Sequence, residues 1–505
     1  MNLSYFDIAI IIVYLVLIFA SGVLVKRYIK GIDDYLVAGR SMGFHLGLIS
    51  LMCSEIGIIT FVYYAELGFD AGFASLIAAI PPVIAYIVLG KTGWVIKPLL
   101  EMKIKTIPEF FSIKFSKGVR FYVGIFMAVG GILNFGVFPG VESRFINIVT
   151  GIPPNSILLT MVILLTVVLL YTLVGGMVSV LITNYIQYAL LSIGMILITV
   201  FGLINVDWNS IVQYVSSNLG EKGINPFFSN AFGSDFGIGF IVWQILEWTA
   251  LLIGWQAISI RLFSSKDTDT GKKIYQWSGL MFFSRGILPI FWGIIAFAYF
   301  GLHGTTVSGI DALGNLVVNV VPSGLLGLMF AALLAASMST YSSYLLSWSS
   351  VVSQDIIGSI VKFITGKEPS SKKQLLISRI TMTFVMIFII WFSLFYEMGG
   401  YIYFYLQMTG MLFIPGVIMS VVLGIYWKRS RSLGAYLSIT FGAIPPITYL
   451  FLPPELQNSM ASELGWGGFV LALFGMLVGS VIQNKISPIK TTENKNTQEL
   501  VEEKI

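Results

Sequence analysis

The run from Ala331 to Ser350, AALLAASMSTYSSYLLSWSS, sets eight hydroxyls (Ser337, Ser339, Thr340, Ser342, Ser343, Ser347, Ser349 and Ser350) in an otherwise apolar segment. Hydroxyl and freed carbonyl oxygens are hard, uncharged ligands of the kind an alkali cation takes. On a helix Ala336, Ser339, Thr340, Ser343 and Ser347 recur every three or four residues and share one face. The same stripe also serves close packing, since Ser and Thr sit at membrane helix interfaces and bond back to the carbonyl four residues earlier.

A second interruption lies in LMCSEIGIITF, Leu51 to Phe61, where Ser54, Glu55 and Gly57 break an apolar run. A carboxylate in mid-span is expensive, and there it marks either a functional group or a structural one paired with a cation such as Arg285. A broken helix frees backbone carbonyls, and such carbonyls bind cations in transporters. Asn184, Gln187, Gln244, Glu247, Arg285 and Gln407 are further polar residues inside apolar segments, each also readable as an interhelical bond. Trp243, Trp248 and Trp255 recur along one span too deeply for an interfacial belt alone.

The elements that position these groups are membrane helices. Of 505 residues 56% are hydrophobic and only 11% charged, against about 25% in a soluble domain. One cysteine, Cys53, and two histidines, His45 and His303, leave no disulfide framework and no Cys/His cluster. No nucleophile and base lie close together in sequence, which argues against an enzyme.

Apolar runs near 5–26, 42–65, 74–98, 119–148, 154–175, 177–206, 234–263, 271–302, 323–360, 371–397, 400–427, 431–452 and 464–485 read as about thirteen transmembrane helices. The fold class expected is therefore an all-α polytopic membrane protein with one transmembrane domain over 1–485. No Lys or Arg precedes the first run and Lys26-Arg27 follow it, so it reads as a retained span with its N-terminus outside. That orientation puts 26 of the 30 Lys and Arg residues on the cytoplasmic side, with Arg144 and Lys222 outside and Lys91 and Arg285 in spans. The C-terminus is then inside, and the polar tail 486–505 reads as disordered. The expected location is the cell membrane, multi-pass, or the inner membrane of a bacterium.

Six segments in order, DDYLVAGRSMG, TIPEFF, GGMVSVLITNYIQ, WQAISIRLFSSKD, LLAASMSTYSSYLLSWSSVVSQD and GIYWKR, resemble the sodium/solute symporter family over about residues 5–485. The resemblance implies a LeuT-like fold: an extra helix at 5–26, inverted five-helix repeats at 42–206 and 234–427, and two extra helices at 431–485. Such folds bind at the membrane midplane and alternate access by rocking one bundle against the other.

Carried over from the family, one Na⁺ is held by the carbonyls of Cys53, Ile56 and Ala336 and the hydroxyls of Ser339 and Thr340. Some members hold a second Na⁺ with hydroxyls that map to Ser342 and Ser343 and an Asp where this chain has Asn184, so the second site lacks its charge. The expected coupling ion is Na⁺, one per cycle, with no organic cofactor. One charge crossing about 100 mV releases about 2.3 kcal/mol and a tenfold Na⁺ gradient adds about 1.4 kcal/mol, so one ion sustains a solute gradient of roughly several hundred-fold.

For the solute the resemblance points to Glu55, Thr60, Trp255, Arg285 and Gln407. The sugar branch's Gln, Glu and Asn are replaced here by Thr60, Ala79 and Trp255, which disfavours a sugar, since buried unmade hydrogen bonds cost about 1–3 kcal/mol each. Arg285 presents a planar fork suited to a carboxylate. The expectation is import of an amino acid, carboxylate or other zwitterion, with a sugar or polyol symporter and a transporter-like sensor as alternatives. The partners expected are the small solute and the lipid bilayer, with no nucleic acid and no obligate protein partner.

Overall fold

The structure, a computed structural model, describes residues 3–24, 32–227, 236–396 and 399–488. Backbone polar groups in lipid must be satisfied internally, so apolar runs of this length fold as helices. The helices used below are α1 (Tyr5–Leu24), α2 (Phe44–Glu55), α3 (Ile58–Ala71), α4 (Ile80–Thr92), α5 (Lys117–Gly136), α6 (Phe138–Thr150), α7 (Ile157–Asn205), α8 (Ile238–Gly254) and α9 (Gln256–Ser264). They continue as α10 (Thr268–Leu302), α11 (Gly309–Val320), α12 (Leu326–Val351), α13 (Ser371–Phe395), α14 (Ile402–Met411), α15 (Ile414–Tyr426), α16 (Ser432–Leu450) and α17 (Pro454–Ile486).

Among the described residues, each of the thirteen apolar runs lies mostly on helices. Nine helices among the described residues are long and apolar enough by themselves to cross a membrane, or eleven when each of two bent pairs counts as one span. The runs 154–175 and 177–206 form a single helix, α7, kinked at Gly176 (φ 49°, ψ −146°), a conformation that glycine tolerates without a Cβ penalty. The tail expected to be disordered lies, from 489 onward, outside the described residues.

Three breaks shape the centre. Ile56 and Gly57 are extended between α2 and α3. At Trp255 (φ −78°, ψ 114°) α8 and α9 meet at a 52° bend, and α14 and α15 meet at 42°. The hydroxyl-bearing α12 begins the most enclosed span, 94% of whose apolar window is buried, so its polar stripe faces protein and not lipid. Asp7 of α1 fixes its start, accepting from the backbone N–H of Gly327 (2.7 Å) and Gly324 (3.3 Å), where a helix N-terminus favours a carboxylate.

Small residues let helices α3 and α10 touch backbone to backbone. A Cβ on Gly68 would lie 1.9 Å from the carbonyl oxygen of Ile290, and one on Gly293 equally close to that of Ala65. This contact carries Arg285, on α10, up to the break after Glu55. At one end of the molecule the approaches to α2 and from α9 are laced together, Met42 N–H to Ser264 O (3.0 Å) and Lys266 N–H to Met42 O (3.1 Å). Arg40 adds donors to the carbonyls of Phe263 (3.0 Å), Lys103 (2.5 Å) and Ile104 (3.1 Å).

Candidate functional site

The break between α2 and α3 lies against the middle of α12. Ser339 donates its hydroxyl to the Cys53 carbonyl (2.6 Å), and Thr340 donates to that of Ala336 (3.2 Å). Gly57 brings the chain so close to Thr340 that a Cβ there would sit 2.9 Å from Oγ1. Cys53, Ile56, Ala336, Ser339 and Thr340 are all at most 2% exposed. The five residues expected from sequence are therefore all buried, and Ser339 and Thr340 of α12 lie against the helix break that Cys53 and Ile56 flank.

A carboxyl that sequence reading passed over completes this neighbourhood. Glu142 of α6 is fully buried; its Oε1 accepts from the Ile59 N–H (3.0 Å) and its Oε2 from the Ser337 hydroxyl. The same imagined Cβ on Gly57 that meets Thr340 would be 3.4 Å from Glu142 Oε1. Glu142 thus closes the orphan N-terminus of α3 and sets a carboxyl beside the hydroxyl of Thr340.

Adjoining this spot is a small pocket with about 50 Å³ of room for solvent. All five solute-site candidates, Glu55, Thr60, Trp255, Arg285 and Gln407, line it, and Thr340 of the ion-site group is in its wall. Tyr63, Asn134, Trp248 and Tyr344 also line it, of which sequence reading had marked only Trp248. Ala79 is outside its lining.

Arg285 is held in place by its backbone-facing side: Nε donates to the Glu55 carbonyl (2.6 Å) and Nη2 to the Tyr63 hydroxyl (2.9 Å). Its guanidinium carbon lies 4.9 Å from the ring centre of Phe282 and 5.5 Å from that of Trp248, a cation–π cradle. Arg285 forms no ion pair with the Glu55 carboxylate, whose Oε1 accepts no hydrogen bond. The guanidinium and the carboxyl line the same cavity without a direct ion pair between them.

On the opposite wall Gln407 Nε2 donates to Gln244 Oε1 (2.9 Å), which also accepts from Tyr403 OH (2.5 Å), while Gln244 Nε2 reaches Glu247 Oε2 (3.4 Å). Asn134 donates to the Leu406 carbonyl (2.6 Å) and Thr409 Oγ1 (3.0 Å). Trp255 stacks on Phe413 (5.7 Å, 14°) and packs edge-on against Trp348 (4.8 Å), an aromatic layer beside the pocket.

The residues carried over for a second ion do not enclose an open site. Ser342 and Ser343 both donate to the Ser339 carbonyl (3.0 and 2.7 Å), and Asn184 donates to Ser50 Oγ (3.0 Å). Arg261 of α9 lies among them, donating to Ser343 Oγ (2.5 Å) and Ser50 Oγ (3.1 Å). The sequence count placed this arginine with the cytoplasmic charges; at 1% exposure it is inside the bundle.

A broken-helix bundle with carbonyl and hydroxyl oxygens at the break and a polar pocket beside it is the architecture of a LeuT-type, ion-coupled secondary transporter. Residues 35–442 match the sodium:solute symporter family, and the chain belongs to it: it is a multi-pass membrane protein and a sodium-coupled symporter of a small solute. It is 26% identical to the sodium/glucose cotransporter 1 of Oryctolagus cuniculus (86% of this chain, 70% of that protein). It is 27% identical to the sodium/myo-inositol cotransporter of Bos taurus (88% and 67%) and 24% identical to the sodium/glucose cotransporter of Vibrio parahaemolyticus (90% and 86%). In fold it is similar to a Na⁺-coupled sialic acid symporter solved in a substrate-bound outward-open state (17% identity, 95% of this chain and 98% of that one, TM-score 0.80). It is also similar to Mhp1, a nucleobase-cation-symport-1 family transporter, in a closed conformation (14% identity, 92% and 98%, TM-score 0.55).

Proposed function

We propose that this symporter imports a small zwitterionic solute, an amino acid or a related carboxylate, with Na⁺ bound at the α2–α3 break by the carbonyls of Cys53, Ile56 and Ala336 and the hydroxyls of Ser339 and Thr340. The observation that carries the solute class is the unpaired juxtaposition of Arg285 and Glu55 in one pocket wall. A guanidinium fork and a free carboxylate oxygen complement a solute's carboxylate and ammonium. Without such a ligand, Glu55 Oε1 is left buried with no hydrogen bond. Glu142 adds negative charge beside the ion's hydroxyl ligand and so favours cation loading.

In this reading thirteen helices cross the membrane, the N-terminus is outside, and the laced end with Arg40 is cytoplasmic. The aromatic layer of Trp255, Trp348 and Phe413 then separates the solute from the cytoplasm until the bundle rocks. Na⁺ drives the change only through its differential affinity for the two states. No organic cofactor, catalysed reaction or obligate protein partner enters this cycle.

A polyol solute, as in the names of the glucose and myo-inositol relatives, is the second reading, favoured by the neutral groups Thr60, Asn134 and Gln407 in the pocket. Uptake into proteoliposomes under an inward Na⁺ gradient, with amino acids, monocarboxylates and sugars compared at equal concentration, separates the two. Zwitterion uptake abolished by Arg285→Gln supports the proposal; uptake of a neutral sugar replaces it.

A further inference from the structure

The span that contains α12 continues through a π-helical turn, Val352–Ile357, into a short helix, Gly358–Thr365. Its 40 residues measure about 60 Å at about 1.5 Å each, against a hydrocarbon core of about 30 Å, so its last turns pass through the headgroup layer. There Phe363 is 90% exposed, with Ile360 and Ile364 exposed beside it. Two adjoining cavities open on this short helix. The inner one, with about 100 Å³ of room for solvent, is lined by polar side chains that include Thr106, Arg120, Gln354, Lys362 and Gln374. The outer one, with about 780 Å³, shares Arg120 and Lys362 with it and adds Lys117 and the apolar side chains of Phe121, Ile360 and Phe363.

The inner cavity holds a donor in want of an acceptor. Gln354 Nε2 is buried and, among the described residues, makes no hydrogen bond, a vacancy that a bound anion fills. Asp355 accepts from Arg120 Nε (2.7 Å) and Thr106 Oγ1 (3.0 Å); its Oδ2 is buried without a partner, so Arg120 is what balances its charge. The other charged groups of the two cavities are Lys105, Lys117 and Lys362 against Glu109 and Glu368. Glu109 accepts from the backbone N–H of Lys105 (2.8 Å). Glu368 pairs with Lys362 (2.5 Å) but is 63% exposed, and an ion pair so open to water is weak. Displacing Glu368 leaves the site cationic.

We propose that these two cavities form one binding site for an anionic phospholipid. The phosphodiester takes the place of the Glu368 carboxylate on Lys362 and accepts from Gln354, and an acyl chain lies against Phe121, Ile360 and Phe363. A free phosphate would use the polar chamber alone; the apolar wall that continues from it commits the site to a lipid. The leaflet follows from the topology read above, on which this proposal rests: Arg40 holds the carbonyls of Lys103 and Ile104, next to Lys105, so the site is at the laced, cytoplasmic end, where anionic lipids are enriched. Gln354 and Asp355 stand on the same continuous span as Ser339 and Thr340, so a lipid bound there braces the helix that carries the ion's hydroxyl ligands.

Thermal stabilisation of the purified full-length protein in detergent, titrated with dioleoyl phosphatidylglycerol, with dioleoyl phosphatidylcholine and with inorganic phosphate, tests this. Phosphatidylglycerol is expected to stabilise saturably, with little response to the other two. Lys362→Gln should raise the phosphatidylglycerol midpoint by about tenfold or more, and Phe363→Ser should raise it as well. Glu368→Gln, which removes the carboxylate that competes for Lys362, should lower it. A midpoint that Lys362→Gln and Glu368→Gln both leave unmoved would show that surface charge alone attracts the lipid and would overturn the site, as would equal stabilisation by phosphatidylcholine. Stabilisation by inorganic phosphate at the same midpoint would overturn the lipid assignment in favour of a free anion. Should Lys362→Gln fail to fold, the sign of the shift in the exposed Glu368→Gln variant decides. Detergent presents both ends of the protein to the lipid, so a reversed topology leaves these outcomes intact, and Na⁺-dependent stabilisation followed in parallel reports separately on the symporter reading.

Discussion

Ser339 of α12 donates its hydroxyl across 2.6 Å to the carbonyl of Cys53, the group freed where α2 breaks. One bond therefore joins the enclosed hydroxyl helix to the end of a broken one. An ion placed between them takes over both oxygens, exchanging a neutral hydrogen bond for two cation contacts. Binding and the relative placement of the two helices are then one event, which is what coupling requires.

Gly57 is the narrowest point of this arrangement. Its extended backbone (φ −122°) suits any residue, so the constraint is steric: an alanine Cβ would press on Thr340 Oγ1 at 2.9 Å and approach Glu142 Oε1 at 3.4 Å. Gly57→Ala is expected to fold and to lose about tenfold or more in Na⁺ affinity by displacing Thr340, measured by Na⁺-dependent thermal stabilisation.

Glu142 separates charge from hydrogen bonding. Glu142→Gln keeps an acceptor for the Ile59 N–H and removes the negative charge; the expected result is a stable protein whose Na⁺ affinity falls about tenfold or more. Glu142→Ala orphans the Ile59 N–H and the Ser337 hydroxyl and should destabilise the protein by about 1–3 kcal/mol for each group. Thermal denaturation in K⁺ and in Na⁺ distinguishes the two variants.

Arg285 should control solute and not sodium. Losing two charge-assisted bonds of about 1.5–3 kcal/mol each predicts that Arg285→Gln lowers solute uptake by more than about 100-fold. Its Na⁺-dependent stabilisation, in the absence of solute, should stay within about threefold of wild type. Arg285→Lys keeps the charge and loses the fork, and is expected to recover only part of the uptake.

The helices were legible because lipid permits few alternatives, and the hydroxyl stripe was legible because its period is helical. The break after Glu55 was foreshadowed by Ser54, Glu55 and Gly57 in an apolar run, whereas the bends at Trp255 and between α14 and α15 fell inside runs that read as continuous spans. Glu142 was not, since VESRF reads as a polar edge beside Arg144, and Arg144 does pair at the surface with Asp311 (2.5 Å). Only the fold turns α6 so that Glu142 points at the break while Arg144 points away. Arg261 was hidden for a related reason: it stands a few residues before the charged stretch SSKDTDTGKK, and spacing alone does not show that α9 is wholly buried. The pocket's Tyr63 and Asn134 carry no charge and so gave no signal in an aromatic-rich chain.

The most direct test of the central claim is Na⁺-dependent thermal stabilisation of the purified protein, with K⁺ as the comparison ion and Ser339→Ala and Thr340→Ala as partners. The account predicts saturable stabilisation of the wild type by Na⁺ and not by K⁺, with midpoints moved upward by about tenfold or more in both variants. A Na⁺ response that both substitutions leave unchanged would show that the hydroxyls of Ser339 and Thr340 do no more than pack the helices, and that sodium binds elsewhere.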